Sequence, residues 1–100
     1  MVDIIWTEPA LADLDAIADY IAIENPAAAA EFVQRVFRHI KQLQAHPRSG
    51  SKVPELPGSR YRQLVEPPCR VFYRTDRQAV YILHIMRSER LFRAESLLTR

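Results

Sequence analysis

The stretch from Arg60 to Arg90 contains most of the side chains with which this chain could bind an anionic partner. Guanidinium groups form paired hydrogen bonds with phosphate and carboxylate oxygens, so the pattern could serve a nucleic acid or an acidic protein segment. Ordinary solvated arginines on a sheet are the other interpretation of the same pattern. The candidates are Arg60, Arg62, Arg70, Arg74, Arg87, Arg90 and, just after the stretch, Arg93.

The distribution of charge favours the binding interpretation. Residues 1–46 carry three Lys or Arg and seven acids, whereas residues 47–100 carry eleven Lys or Arg and five acids. A formal net charge of +2 therefore hides an acidic N-terminal half and a basic C-terminal half. Such a split predicts a basic surface that faces an anionic partner.

His84 and Cys69 are the other side chains of this stretch with reactive groups. His84 is in phase with Val80, Ile82 and Met86 on an apolar strand, where a histidine is more often a hydrogen-bonded structural residue than an acid–base catalyst. Cys69 is interpreted as a small buried hydrophobe rather than a catalytic thiol. Acid–base chemistry by His84 is the weaker of its two interpretations.

The sequence predicts no metal or cofactor site. His39 and His46 lack partners at metal-ligand spacing. Asp13, Asp15 and Asp19 fall on one predicted helix without matched ligands elsewhere, so a solvated helix face is the favoured interpretation. A single cysteine excludes an internal disulfide and a cysteine metal cluster.

The N-terminal half is predicted to form one strand and two helices. Residues 2–6 are mainly apolar with partial alternation, which is typical of a strand. Thr7 can cap a helix that runs to about Glu24, and Asn25 can cap a second helix that runs to about Ala45. The two helices follow each other so closely that they must form an αα-hairpin.

The C-terminal half is predicted to form three strands after a loop. Residues 46–59 hold three prolines and both glycines, which is typical of a loop. Strands then follow over residues 60–65, 69–74 and 79–86, and the last is apolar on both faces, which predicts a central place in the sheet. Residues 88–98 could add a short amphipathic helix that covers a surface with Leu91, Phe92 and Leu98.

The predicted order β-α-α-β-β-β describes a two-layer α+β domain. The helical hairpin packs on one face of a small, mainly antiparallel sheet, and the other face is left for solvent or a partner. One hundred residues, 48% hydrophobic and 26% charged, fit a single globular domain over 1–100. No apolar run approaches the roughly 20 residues of a membrane span, and the N-terminus lacks the pattern of a signal peptide, so a cytoplasmic location is expected.

The chain resembles the ParE/RelE toxin superfamily of bacterial type II toxin–antitoxin modules over nearly its whole length. The resemblance rests on four segments in order: IIWTEPALADLDAIADYIA, NPAAAAEFVQRVFRHIKQLQAHPRSG, YRQLVEPPCRVFYR and VYILHIMRSER. It implies a toxin that is neutralised by a cognate antitoxin, whose C-terminal segment wraps the helical hairpin and the exposed sheet. It also implies a toxin–antitoxin hetero-oligomer.

The superfamily divides by target, and the residues favour one branch. RelE-like members resemble ribosome-dependent mRNA endonucleases, which need a base, an acid and cations around the phosphate. Arg70 matches their strand arginine, and Lys52 is displaced from their lysine pair. The other expected positions hold Val53, Pro54, Ser88 and Ala94. The resemblance therefore favours the ParE-like branch, whose members poison DNA gyrase.

On this interpretation the chain binds partners and no residue is catalytic. The predicted partner-binding residues are Arg60, Arg62, Arg70, Arg74, Arg87, Arg90, Phe92 and Arg93. The alternative is an mRNA-cleaving endoribonuclease that uses Arg70, His84, Arg87 and Arg90. A non-toxic protein that binds the antitoxin and regulates its operon is a third hypothesis that the sequence leaves open.

Overall fold

The computed structural model describes residues 1–98, and the side chains of residues 1–97, as an α+β domain with the predicted element order and one additional strand. The strands are β1 (Asp3–Trp6), β2 (Ser51–Lys52), β3 (Arg62–Glu66), β4 (Cys69–Thr75) and β5 (Ala79–Arg87). The helices are α1 (Glu8–Glu24), α2 (Pro26–Lys41) and α3 (Glu95–Leu98), with a 3₁₀ turn over Gln42–Gln44 after α2.

Two side-chain caps start the helices of the hairpin where the sequence predicts them. The Thr7 hydroxyl accepts a hydrogen bond from the Ala10 N–H at 3.4 Å, and the Asn25 side-chain oxygen accepts one from the Ala28 N–H at 3.0 Å. Each cap satisfies one of the free N–H groups in the first turn. Because Asn25 alone separates α1 from α2, the chain reverses there and the two helices pack together.

The sheet has the strand order β1-β5-β4-β3-β2. β1 pairs with β5 in parallel, and the other neighbours are antiparallel. The last strand was predicted to lie centrally; β5 lies between β1 and β4 and is therefore internal, although the middle strand of the five is β4. The two-residue β2 was not predicted, because it lies within a loop rich in proline and glycine.

The helical hairpin packs on one face of the sheet, as predicted. This helix-side core joins the apolar stripe of the helices to alternate residues of β3, β4 and β5. Its buried members include Leu14, Phe32, Val36, Ile40, Leu64, Val71, Tyr73, Val80, Ile82 and Ile85.

The opposite face of the sheet is also covered, so the prediction of an open face is wrong. The loop before β3 and the C-terminal segment lie across it, and the Tyr61 hydroxyl donates to the Leu97 carbonyl at 3.4 Å. This loop-side core consists of Val53, Tyr61, Phe72, Leu83, Met86 and Leu97. Periodicity did not reveal it because its loop residues belong to no regular element.

The C-terminal helix is shorter than the predicted stretch of residues 88–98. Only Glu95–Leu98 are helical. Phe92 packs against the loop-side core, whereas Leu91 remains 81% exposed and covers no surface. Leu97 is the buried leucine of the segment, and the side chain of Leu98 lies outside the described residues.

Within the part of the chain that the structure describes, no helix is both long and apolar enough to cross a membrane.

Candidate interaction surface

Arg70 is held by a carboxylate, an amide and two aromatic rings. Its Nη1 and Nη2 donate to the two carboxylate oxygens of Glu55 at 2.8 and 2.7 Å, and its Nε and Nη2 donate to Gln63 Oε1 at 2.9 and 2.6 Å. The guanidinium carbon lies 4.7 Å from the ring centroid of Phe72 and 5.7 Å from that of Phe92. The side chain is only 13% exposed, and all three guanidinium nitrogens have partners. We call these five residues the Arg70 cluster.

The register of β3 and β4 brings the Arg70 cluster together. Val65 lies opposite Arg70 and Gln63 lies opposite Phe72. Since side chains alternate across a strand, Gln63, Arg70 and Phe72 share the face that points away from the helices. Glu55 reaches the same face from the loop, which is anchored two residues earlier by the buried Val53.

His84 is tied to the first helix at an irregularity of β5. Phe72 lies opposite His84 and Tyr73 opposite Ile82, so Leu83 is an extra residue at this point of the ladder. Val80 and Ile82 therefore belong to the helix-side core, whereas Met86 belongs to the loop-side core. The predicted common phase of His84 with these three residues is wrong because the bulge interrupts the alternation.

Asp13 supplies the partner of His84. The Asp13 Oδ2 atom lies 2.7 Å from His84 Nδ1 and accepts the Ile85 N–H at 3.1 Å. The His84 ring stacks on Phe72 at a centroid distance of 5.8 Å. This is the hydrogen-bonded structural histidine that the strand pattern favours. The sequence suggested that Asp13 lies on a solvated helix face. That prediction is wrong for Asp13, because its side chain turns toward the bulge of β5.

Arg87 and Arg90 line a groove between α1 and the end of β5. The Arg87 guanidinium carbon lies 4.9 Å from the ring centroid of Tyr20, and its Nε forms an ion pair with Glu89 at 2.6 Å. The groove has a volume of about 340 Å³, and Asp13 lies at its wall. We call it the α1 groove.

Arg60 and Arg62 lie elsewhere, at the corner formed by β2, β3 and the end of β4. Arg62 Nη1 donates to the Gly50 carbonyl at 2.9 Å, and the Arg60 guanidinium carbon lies 5.7 Å from the Tyr61 ring centroid. We call the cavity here, of about 220 Å³, the corner cavity. It is lined by Arg48, Lys52, Ser59, Arg60, Tyr61, Arg62 and Thr75.

The remaining candidates have different surroundings again. The Arg74 guanidinium carbon lies 4.1 Å from the ring centroid of Tyr81. Phe92 packs against Phe72 at a centroid distance of 5.2 Å, so it anchors the C-terminal segment. Arg93 is exposed near the protruding Leu91. The predicted arginines thus divide among the Arg70 cluster, the α1 groove, the corner cavity and the C-terminal segment, and Arg74 lies apart from these beside Tyr81.

Comparison with known proteins gives the family. The model described as "ParE toxin of type II toxin-antitoxin system, parDE" matches residues 4–92. The chain belongs to this ParE toxin family. The resemblance stated from the sequence is confirmed.

Two relatives show how far the similarity extends. The toxin is 35% identical over 92 residues to the protein named Toxin RelE2 of Caulobacter vibrioides, an alignment that covers 91% of this chain and all of the relative. It is also similar to a chain of the solved structure titled "Chromosomal ParDE TA system from P. aeruginosa". That similarity has a TM-score of 0.73 and 36% identity over 89% of this chain and 98% of the other.

Membership of the family gives the toxin its general role and its first partner. It is the toxin of a type II toxin–antitoxin system, and an antitoxin is its partner. The α+β fold predicted from the sequence agrees with the solved ParDE chain.

Sequence reasoning missed three residues of the toxin that are hydrogen-bond partners of Arg70 or His84. Glu55 and Gln63 were not among the candidate residues, and Asp13 was assigned to a solvated helix face. Each makes contacts with residues between 7 and 72 positions away in the chain. Only Gln63, a polar residue in phase with Tyr61 and Val65 on the predicted strand, offered a signal in the sequence.

Cys69 has the surroundings of a structural residue in the toxin. It is fully buried, and burial raises the pKa of its thiol to about 11. A thiol with this pKa stays protonated at neutral pH, whereas the nucleophile of cysteine chemistry is the thiolate. The interpretation of Cys69 as a small buried hydrophobe agrees with this environment.

The Glu55–Arg70 pair predicts a pH-dependent contribution to stability. The hydrogen bonds from Arg70 lower the pKa of Glu55, so the pair stabilises the folded state fully above the ordinary carboxyl pKa of about 4.3. This contribution is lost as the pH falls through the lower pKa of the folded state. Glu55→Gln should cost less than about 1 kcal/mol at pH 7, because solvent screens a carboxylate that is 38% exposed.

Urea unfolding at neutral and acidic pH measures this effect. The difference between the toxin and Glu55→Gln should be largest at pH 7 and should shrink toward acidic pH. Glu31→Gln, on an exposed part of α2, removes the same charge and serves as control. A Glu55→Gln effect that is the same at both pH values would show that the pair is not ionic.

Proposed function

We propose that the free toxin inhibits DNA gyrase in the cytoplasm and that the antitoxin relieves this inhibition by wrapping around the toxin. The observation that carries the proposal is the state of Arg70, the one residue that matches the nuclease pattern. Its guanidinium nitrogens are bonded to Glu55 and Gln63 and covered by aromatic rings. A group engaged in this way is poorly placed to stabilise charge on a reacting phosphate.

The other requirements of RNA cleavage also lack clear candidates. A general base must be within hydrogen-bond reach of the proton it removes. His84 Nδ1 is bonded to Asp13, and its ring is stacked on Phe72. Val53, at one expected lysine position, is buried in the loop-side core. These features support a toxin that acts by binding.

A ribosome-dependent mRNA endonuclease is the second candidate. It is favoured by the name of the relative Toxin RelE2 and by the α1 groove, which Arg87 and Arg90 leave open to a ligand. On this hypothesis Arg70 and His84 would have to be released from their present partners before they could act. That requirement makes the nuclease the weaker candidate.

The C-terminal segment supplies the proposed contact with gyrase. Arg90 and Arg93 are exposed, and Leu91 between them is 81% exposed. An exposed apolar side chain flanked by arginines can combine burial of apolar surface with charge-assisted hydrogen bonds to a partner. We assign this short segment as the part of the toxin that contacts the enzyme.

The outer side of the helical hairpin supplies the proposed site for the antitoxin. Tyr20 is 62% exposed and Ile23 is 80% exposed on α1, and their spacing of three residues places them side by side as an exposed apolar patch. Arg87 lies beside both residues in a second cavity near the α1–α2 turn. An antitoxin segment with apolar anchors and carboxylates would match this pattern and could fold as it binds.

A supercoiling assay with purified gyrase tests the proposal. The toxin should inhibit supercoiling, and prior addition of the antitoxin should restore it. The double variant Arg90→Gln/Arg93→Gln should inhibit at least about 10-fold less, since each charge-assisted hydrogen bond to a partner contributes about 1.5–3 kcal/mol. Ile23→Asp should still inhibit but should need more antitoxin for relief.

Matched controls and a second readout separate the hypotheses. Arg38→Gln/Arg77→Gln removes the same charge from exposed positions outside the C-terminal segment and should inhibit like the original toxin. Codon-phased cuts in translated mRNA after induction, with supercoiling unaffected, would instead establish the nuclease. Growth that continues after induction without antitoxin would favour the non-toxic regulator.

A further inference from the structure

The corner cavity concentrates positive charge at one end of the sheet. Arg48 and Lys52 come from the loop after α2 and from β2, Arg60 comes from the loop before β3, and Arg62 is the first residue of β3. We propose that the corner cavity binds a phosphate group of a nucleic-acid backbone. This site is separate from the Arg70 cluster, and its existence does not rest on the proposed inhibition of gyrase.

No carboxylate of the described residues lines the corner cavity, and the nearest acids in the sequence are engaged elsewhere. Glu55 is paired with Arg70. Asp76, next to Thr75, accepts the N–H groups of Gln78 and Ala79 at 2.8 and 2.9 Å, and these bonds lower its pKa. Among the described residues, the four cations therefore face the cavity without an ion-pair partner, which favours an anion from outside.

Arg62, one of the cations that line the corner cavity, is held in place before any ligand arrives. The Gly50 carbonyl accepts the bond from Arg62, and the Gly50 N–H donates to the Tyr73 hydroxyl at 2.9 Å. Tyr73 is fully buried in the helix-side core. Arg62 is thus held by the rigid part of the sheet. A ligand that accepts hydrogen bonds from its remaining N–H groups does not have to order a mobile side chain, so binding loses less conformational entropy.

An unpartnered hydroxyl adds to the donors around the corner cavity. Ser59 Oγ is buried and has no hydrogen-bond partner among the described residues. Buried hydroxyl groups are nearly always hydrogen-bonded in folded proteins, so this hydroxyl, beside four cations, favours a ligand that can accept its hydrogen bond. A phosphate oxygen would supply the acceptor.

The chemistry of the lining favours a phosphate over the carboxylate of a protein partner. A single guanidinium already satisfies both oxygens of a carboxylate, whereas this site offers three guanidinium groups, an ammonium and the Ser59 hydroxyl. Peptide segments also need apolar pockets for their side chains, and Tyr61 is the only apolar lining residue the described structure provides. Backbone phosphates repeat along a nucleic acid and need no such pocket.

Fluorescence anisotropy with a labelled oligothymidylate tests the proposal with the full-length toxin. Arg48→Gln/Lys52→Gln should weaken binding at least about 10-fold and should reduce the slope of log affinity against log salt by about 1. Arg38→Gln/Lys41→Gln removes one arginine and one lysine from the exposed end of α2 and should leave both quantities nearly unchanged. Thermal unfolding checks that both variants are folded, and the exposed Arg60→Gln provides a second, milder variant of the site.

Two further probes identify the source of the anion. If the binding of an oligouridylate depends on Arg48 and Lys52 as strongly as the binding of oligothymidylate does, the site recognises the backbone phosphate of either nucleic acid. If binding of a polyglutamate peptide depended on Arg48 and Lys52 and oligonucleotide binding did not, the proposal would be overturned in favour of an acidic protein segment. Equal losses in the corner-cavity variant and the α2 control, or no oligonucleotide binding by the original toxin, would also overturn it.

Discussion

Replacing Gly50 with alanine is expected to lower the free energy of unfolding by about 3 kcal/mol, the upper part of the range for overpacked sites. A Cβ atom at this position would lie 2.5 Å from the Tyr73 hydroxyl oxygen and 2.7 Å from the Gln63 carbonyl oxygen. Neither atom can retreat easily, because Tyr73 is fully buried and the Gln63 oxygen belongs to the backbone of β3. The substitution should also break the buried hydrogen bond from Gly50 to Tyr73.

Urea unfolding of matched variants tests this steric explanation. Gly58→Ala is the control, because its backbone has φ +76° and a methyl group there would meet no described atom within 4 Å. It should cost only the roughly 1–2 kcal/mol of an L-residue in the left-handed region. Adding Tyr73→Phe to Gly50→Ala should recover part of the loss, since the closest clashing atom is removed. A Gly50→Ala variant as stable as the original would contradict the close approach of loop and strand.

The same substitution connects stability to the proposed phosphate site. The Gly50 carbonyl holds Arg62, so a displaced loop would move one wall of the corner cavity. We therefore expect Gly50→Ala to weaken oligonucleotide binding even under conditions where most of the protein is folded. The control Gly58→Ala should not.

The fold could be predicted from the sequence because local signals agree with one another. Thr7 and Asn25 are caps whose geometry depends on residues three positions away, and the structure contains both. The three C-terminal strands are bounded by turn residues such as Pro67 and Pro68. The apolar residues on both faces of β5 indicated a strand away from the edges of the sheet, and β5 lies between β1 and β4. These features need only short-range information.

The interaction surface was harder to predict because it depends on pairs of residues that are distant in the chain. Arginines in a strand pattern are equally compatible with solvent, with a partner and with an internal carboxylate. Which of these holds for Arg70 depends on Glu55, whose position is determined by the loop anchored at Val53. Residues 46–59 have no periodic pattern from which the burial of Val53 could have been predicted. The place of a charged residue in a regular strand can therefore be predicted from the sequence. Whether its charged group is free to bind a partner cannot.

Replacing Asp13 with alanine is expected to lower the free energy of unfolding by about 2 kcal/mol, the cost of leaving a buried donor without its acceptor. β1 pairs with β5 only as far as Ile82, so the edge of β5 beyond that residue has no neighbouring strand on this side within the described part of the chain. Asp13 takes the place of that strand by accepting the Ile85 N–H and contacting His84. The higher helix propensity of alanine, worth about 0.5 kcal/mol, offsets only part of the loss.

Hydrogen exchange of the Ile85 amide separates this local effect from a general change in the helix. In Asp13→Ala the Ile85 amide should exchange faster than the loss of global stability explains, because its direct acceptor is gone. Asp13→Asn keeps a side-chain oxygen and should retain much of the protection, so the charge and the acceptor can be distinguished. Asp15→Ala, an exposed neighbour on the same helix, should leave the exchange rate unchanged and stability slightly higher. If Asp13→Ala and Asp15→Ala behaved alike, α1 would not complete the edge of β5, and the position of His84 would need another explanation.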